Sequence, residues 1–335
     1  MNAKIKPQNL LEVNGVEIEK ALPSESKLTI LSYGGGQDST TLLYKYVFDP
    51  EFKKTYAPND FLVLFADTGN EAPMTYEYIE SIIKPFCIKH NIEFVSITND
   101  MGYHGRTWQT LTGQWENGNP TIGSVAYPKT CTANLKLNPQ YRYVEEWLTK
   151  KYPEIVTKNS QKAGYVQFAK IYGPINWIVG IAKGEEKRCA DAEKETAKWK
   201  RQAVSVIYPL IPLGLDRQKC QDYIKSLDMP IPFPSNCLFC PFAGNNKMEL
   251  LWLFKTFEDR FYVWAALEQK KLDAHQEAVK NLGVSGRLHK DGDRKGEAIT
   301  LLDTLAEAQK DYGHLSLNEL SDYRFSHGHC ATSSY

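Results

Sequence analysis

Leu28-Thr29-Ile30-Leu31-Ser32-Tyr33-Gly34-Gly35-Gly36-Gln37-Asp38-Ser39-Thr40-Thr41-Leu42-Leu43 runs from an apolar strand through three glycines into a helix. Glycines admit positive φ and let a phosphate approach the amides without a Cβ in the way. The helix that follows offers unpaired N–H groups and the positive end of its dipole. A strand that ends in glycines and reopens as a helix is therefore a phosphate cradle. Its candidate contacts are Ser32, Gly34, Gly35, Gly36, Gln37, Asp38, Ser39 and Thr40. Asp38, Ser39 and Thr40 fall in the first helical turn, where they cap that turn or reach a nucleotide. No Gly-Lys-Ser/Thr follows, so this is not a Walker A loop, and the third glycine comes too soon for GxGxxG. A ligand-free glycine turn is the plain alternative, and the Asp-Ser-Thr continuation counts against it.

Outward from the loop, strands alternate with helices. Asp60 to Ala66 is a second apolar run of strand length, ending in Asp67-Thr68-Gly69-Asn70-Glu71; Met74 to His90 carries a helical pattern, and Asn91 to Ile97 supplies a third strand. This alternation predicts a parallel sheet flanked by helices, with ligands at the carboxyl ends of the strands. Gly102 to Lys129, rich in Gly, Thr, Asn, Tyr and Trp, reads as a long functional loop. Helices are expected over Leu135–Tyr152, Gln218–Leu227, Met248–Lys271 and Ala298–Lys310, and strands over Ile175–Val179 and Val204–Leu210. Lys183 to Gln202, dense in both charges, reads as a solvated loop and helix.

At 335 residues the chain has room for one large α/β domain and an appendage. Its 40 basic and 40 acidic residues cancel, which removes any overall electrostatic footprint for nucleic acid or membrane. No run of apolar residues is long enough to span a bilayer, and the N-terminus carries scattered charges. The expectation is a soluble, cytoplasmic protein with no membrane partner.

Seven cysteines, an odd number, point to metal, cluster or thiol chemistry instead of a disulfide scaffold. Cys237-Leu238-Phe239-Cys240-Pro241 is a CxxC, whose spacing lets two thiolates face one ion, but one CxxC is half a site. Cys131 and Cys220 are the candidates to complete it, holding Zn²⁺ or a 4Fe-4S cluster. Buried thiols are the alternative for all four. Cys87 sits on an apolar helix face and reads as core, Cys189 as exposed, and Cys330, in His327-Gly328-His329-Cys330, as a tail thiol. His104, with Arg106 in the long loop, is the one histidine placed to overhang a nucleotide. Trp252, Phe254, Phe257, Phe261, Tyr262 and Trp264 have near-helical spacing and read as packing.

Gly35, Gly36, Asp38 and Ser39 match the Ser-Gly-Gly-x-Asp-Ser loop of the ATP pyrophosphatases, which this chain resembles over about residues 27–242. Gly34 stands where that superfamily has Ser, and Gln37 where it often has Lys. Asp67-Thr68-Gly69 is similar to the turn after the second strand in its phosphoadenosine-phosphosulfate (PAPS) reductase branch. Gly180-Ile181-Ala182-Lys183-Gly184-Glu185-Glu186-Lys187-Arg188 resembles that branch's Gly-Ile/Leu-Arg-x-x-Glu-x-x-Arg, with Gly180, Ile181, Glu185 and Arg188 matching and Ala182 in place of the first Arg. Cys131, followed by Lys136 and Pro139, is similar to its cysteine segment, with Thr130 in place of a second Cys.

The resemblance implies a HUP-like, Rossmann-related α/β domain at 27–242, an N-terminal extension at 1–26 and a helical C-terminal extension at 243–335. It implies that ATP with Mg²⁺ lies on the glycine loop, that an acceptor oxygen attacks the α-phosphorus, and that pyrophosphate leaves. Asp38, Lys136 and Arg188 would be catalytic, with Asp67, Thr68, Gly69, Gly180, Ile181 and Glu185 lining the nucleotide. A sulfurtransferase-type enzyme is the first reading, related to DNA phosphorothioation and tRNA thiolation. It has a nucleotide substrate, a nucleic-acid acceptor, and a sulfur-donor or thiol-reductant protein as partner. A sulfonucleotide reductase using Cys330 and a non-catalytic nucleotide-sensing scaffold are the two rivals.

Overall fold

The computed structural model describes residues 10–13, 16–19, 25–116, 120–156, 162–191 and 194–327. The protein is α/β. An N-terminal antiparallel hairpin, β1 (Leu10–Val13) and β2 (Val16–Glu19), precedes a five-stranded parallel sheet. The sheet's strands are β3 (Leu28–Ser32), β4 (Asp60–Ala66), β5 (Glu93–Ile97), β6 (Ile175–Val179) and β7 (Val204–Ile207), in the spatial order β5-β4-β3-β6-β7. This is a Rossmann-like arrangement. The chain steps outward from β3 to β5 on one side, then returns to place β6 on the other side of β3, so the strand order reverses between β3 and β6.

Strand alternation sorts the apolar residues between the two faces. Leu28, Ile30, Leu62, Leu64, Trp177 and Val179 join one core, whereas Leu31, Tyr33, Val63, Phe65 and Ile178 join the other. The first face is covered by α5 (Asn138–Lys151), α6 (Ala163–Tyr172) and α7 (Lys198–Ala203), through Val144, Leu148, Tyr165, Phe168 and Ala203. The second carries α1 (Gln37–Phe48), α2 (Pro50–Tyr56), α3 (Pro73–Tyr78), α4 (Lys84–Lys89) and α8 (Arg217–Ser226). Each fully buried Trp or Leu in these layers contributes about 1.5–3 kcal/mol relative to exposure.

Two helices contain π-helical segments, Ile79–Ile83 and Thr132–Leu137. Each lies just before a proline, Pro85 and Pro139. A proline has no N–H for the carbonyl four residues back and its ring presses on that carbonyl, and widening the turn relieves both defects. The second segment starts immediately after Cys131 and carries Lys136, so its register sets where that lysine points.

The C-terminal part consists of α9 (Pro241–Gly244), α10 (Lys247–Thr256), α11 (Glu258–Ala274), α12 (Leu301–Tyr312) and α13 (Leu317–Ser326). The starts of α12 and α13 are fixed by capping boxes, Thr300 with Asp303 and Ser316 with Glu319. These helices share a third core with Leu111, Trp115 and Ile122 of the long loop, Leu135, and Phe239 of the CxxC. Trp252, Phe261 and Trp264 are fully buried there, as packing residues should be, while Tyr262 is exposed. No helix among the described residues is long and apolar enough to cross a membrane.

Candidate functional site

In an open parallel sheet the ligand crevice forms where the strand order reverses. Here that switch point lies between the ends of β3 and β6, which carry the glycine loop and the Gly180–Arg188 segment. The two come together closely: a Cβ on Gly180 would stand 2.8 Å from the Ser39 amide nitrogen and 3.1 Å from Asp38 Cβ. Glycine at 180 thus lets the end of β6 lie against the first turn of α1. Gly35 has φ +76°, and a Cβ there would stand 2.6 Å from Thr75 Cγ2. At Gly36 a Cβ would stand 3.0 Å from Ser235 Oγ, so the segment around Ser235 lies against the loop. Around Gly34, by contrast, the space is open.

The loop's hydroxyls divide into support and surface. Ser39 Oγ accepts from the Gly34 N–H at 3.2 Å and donates to the Gly36 carbonyl at 3.0 Å. Thr40 is fully buried, with its hydroxyl on the Gly36 carbonyl and the Tyr33 hydroxyl. It braces the loop from beneath. Gln37 also turns away: its amide donates to the Arg217 carbonyl at 3.3 Å and accepts from Gln221 at 2.9 Å, which ties α1 to α8. Ile181 and Ala182 are fully buried, so Ile181 is core and position 182 faces the interior.

Asp38 is 8% exposed, and its Oδ1 has no hydrogen-bond partner. Burial pushes its carboxyl up to about 6; Arg217 and Arg188 pull the other way and Glu185 adds to the rise. Beside it, Glu185 takes Arg217 Nε on one carboxylate oxygen at 2.9 Å and Arg188 Nη1 on the other. Burial alone would raise Glu185, but the two guanidiniums outweigh it and hold the carboxyl below its usual range. Arg188 is almost fully buried, whereas the Arg217 side chain is 21% exposed.

A second cluster forms at the end of β4. Asp67 Oδ1 accepts from the Gly69 N–H at 2.8 Å and from the Tyr76 hydroxyl at 2.6 Å, an Asx turn locked by an aromatic clamp. The His104 ring sits on the Asp67 carbonyl, its Nε2 at 3.0 Å. It is buried, and burial holds its pKa below the ordinary value. Next along the turn, Glu71 Oε1 is shared by Lys136 at 3.0 Å, the Thr68 hydroxyl at 3.0 Å and the Cys237 thiol at 3.4 Å. Glu71 Oε2 is buried without a partner. Residues 71 and 237 are held as an antiparallel bridge, flanked by Leu238 N to Asn70 O at 2.8 Å. Burial and the Glu71 carboxylate raise the Cys237 thiol well above its usual pKa; Lys136 opposes them.

The four-cysteine set expected from the sequence is not assembled. Cys220 packs in the core of the α1/α8 face, with its pKa pushed up to about 12 by burial, whereas Cys131 and Cys237 border the third core. Cys240 is buried as the N-cap residue of α9. Among the described residues no group of three or more His, Cys, Asp and Glu is arranged to hold a metal ion. A four-thiolate zinc or iron–sulfur site that includes Cys220 therefore does not fit. Cys87 is core, as its helical phase requires, and Cys189 is half-buried. Cys330 lies outside the described residues.

Asp38, Glu185 and Arg188 thus meet at the crevice, while Asp67, Thr68, Gly69, Lys136 and Cys237 meet one strand further out. Sequence reasoning missed Arg217, Glu71 and Tyr76. Arg217 follows the N-cap Asp216 at the start of α8, on the strand-end side of the sheet, and that cap was the one signal available.

The chain is 24% identical over 336 residues to a protein of Escherichia phage lambda, "Uncharacterized nin region protein ORF290". The match covers 91% of this chain and 94% of that protein. No protein-family model matches the chain, and no solved structure matches it.

Proposed function

We propose that the chain is an ATP-using enzyme of HUP-like fold, related to the PAPS reductase-like ATP pyrophosphatases. It would transfer AMP to an acceptor oxygen and release pyrophosphate, activating that acceptor for sulfur transfer to a nucleic acid or nucleotide. One observation carries the reading. At the point where strand order reverses, Asp38 stands buried beside the glycine loop with one carboxylate oxygen unpartnered. A charge kept out of water without a bond is costly unless a ligand completes it.

In this reading the triphosphate lies on the amides of residues 34–39. The acceptor oxygen bonds to the α-phosphorus as the bond to the pyrophosphate oxygen breaks. A magnesium ion travelling with the nucleotide would neutralise phosphate charge, and Asp38 Oδ1 is the hard oxygen donor that suits it. Glu185 holds the arginines in place, and the closeness of Gly180 keeps α1 against β6. Cys237, bonded to Glu71 beside Lys136, is the thiol nearest in role to the sulfur chemistry. The test is pyrophosphate release from ATP with candidate acceptors. Release by the wild type that persists unchanged in Asp38→Ala would overturn the assignment.

A further inference from the structure

Two arginines flank Asp38, and they are not equivalent. Arg188 is 8% exposed at its side chain and its Nη1 is spent on Glu185. Arg217 bonds the same carboxylate through Nε alone, at 2.9 Å. Its side chain makes no other hydrogen bond or ion pair among the described residues, so both Nη groups, carrying four N–H donors, are left over. The side chain is 21% exposed and stands close enough to Asp38 to be the strongest charge acting on it.

Bonded to Glu185 through Nε, the guanidinium leaves its Nη1/Nη2 edge as a fork whose spacing suits a tetrahedral oxyanion. The fork's base is anchored twice. Asp216 caps α8 by accepting from the Lys219 N–H at 2.9 Å, and the Arg217 carbonyl accepts from Gln37, the first residue of α1. Any motion of the glycine helix and of Arg217 is therefore coupled.

We infer that Arg217 is the phosphate-binding arginine of this site, presenting Nη1 and Nη2 to the polyphosphate of the nucleotide on the glycine loop. Arg188 is then the residue that, through Glu185, sets the angle of that fork. This inference rests on the nucleotide reading of the crevice and adds to it the residue that reads the phosphates.

Isothermal titration of the full chain with ATP, inorganic pyrophosphate and adenosine tests it, using wild type, Arg217→Gln and Arg217→Lys. Gln keeps a donor for Glu185 and removes the charged fork; far-UV circular dichroism and the melting temperature confirm that each variant is folded. The expected result is a loss of about 10- to 100-fold in affinity for ATP and pyrophosphate in Arg217→Gln. Adenosine binding should be unchanged, with partial recovery in Arg217→Lys. Wild-type affinity for ATP and pyrophosphate in Arg217→Gln would overturn the inference and leave the nucleotide reading standing. An equal loss for adenosine would also overturn it, by making Arg217 structural. A wild type that binds pyrophosphate through Arg217 but neither ATP nor adenosine would overturn the nucleotide reading, and with it the inference that the fork serves a nucleotide. A wild type that binds none of the three would overturn both.

Discussion

Two buried carboxylates stand one strand apart in this molecule, and they are treated in opposite ways. Glu71, in the turn after β4, has Lys136, Thr68 and Cys237 on one oxygen. Asp38, after β3, has two guanidiniums near it but no ion pair among the described residues; Arg188 Nη1 and Arg217 Nε bond Glu185 instead. Both carboxylates keep one oxygen without a partner, Glu71 Oε2 and Asp38 Oδ1, so the difference between them is the cation. A carboxylate with a lysine of its own positions its neighbours, and on the proposed reading one without a cation is where a ligand completes the set. On that reading the nucleotide would bind at the ends of β3 and β6, and the Glu71 cluster would be a scaffold for a thiol.

The largest effect that would break this contrast is at Asp38. Asp38→Asn keeps the shape and removes the charge, and should lower pyrophosphate release by about 10²–10³-fold, the usual cost of removing a charge-stabilising group from an active site. Unchanged turnover would place Asp38 alongside Glu71 as a structural carboxylate.

The same comparison predicts a loss of stability at the second cluster. Lys136→Met leaves the fully buried Glu71 without its cation, and should cost about 2–3 kcal/mol in chemical denaturation, below the full penalty for a buried pair because Lys136 is partly exposed. Catalytic loss with stability intact would instead move Lys136 into the reaction.

Asp38 itself has the opposite sign. Its folded pKa, about 6, lies above the unfolded value near 3.8, so the folded state binds more protons between those limits. The contribution of Asp38 to stability is therefore fully present below pH 4, is lost as pH rises toward 6, and is constant above it. Asp38→Asn should remove that pH dependence and be more stable than wild type at pH 7 by about 1–2 kcal/mol. Wild-type turnover should rise through the same interval as the carboxylate ionises. Parallel denaturation curves for the two proteins from pH 4 to 7 would remove Asp38 from the destabilised, ligand-ready class.

How far the sequence foretold this division follows from the range of the contacts involved. The sheet was legible because alternation and glycine punctuation are local: Leu31 and Ile30 face opposite cores as their spacing requires. Gly35, Asp38 and Gly180 were legible as a candidate site because each lies within a few residues after the end of a strand. Cys220 carried a readable signal, since Ile224 four residues on marks the same buried helix face. Helices α2, α6 and α13 are short and fell outside the expectations, although Asp49 before Pro50 is a cap and first-turn proline. Glu71 and Arg217 could not be read. One depends on a bridge to residue 237, the other on how α8 lies against α1. Gln37 was assigned to the nucleotide for the same reason: only the packing of α8 shows which way it turns.

The smallest expected effect sharpens the comparison at its most permissive point. Gly34 has open space around its missing Cβ and no positive φ, unlike Gly35. A serine should therefore be accepted at position 34 and not at 35. Gly34→Ser should leave the melting temperature within the range of an ordinary surface change, about 0.5 kcal/mol. It should also tighten ATP by a few-fold, since the added hydroxyl would stand at the mouth of the phosphate loop. Gly35→Ser should cost about 1–2 kcal/mol from the left-handed backbone alone, before the contact with Thr75 is counted. If Gly34→Ser instead weakens ATP while the fold is unaffected, then the open space at 34 is itself occupied by the nucleotide. The glycine there is then a feature of how this chain holds its phosphates, and the phosphate loop begins at Gly34, four residues before Asp38.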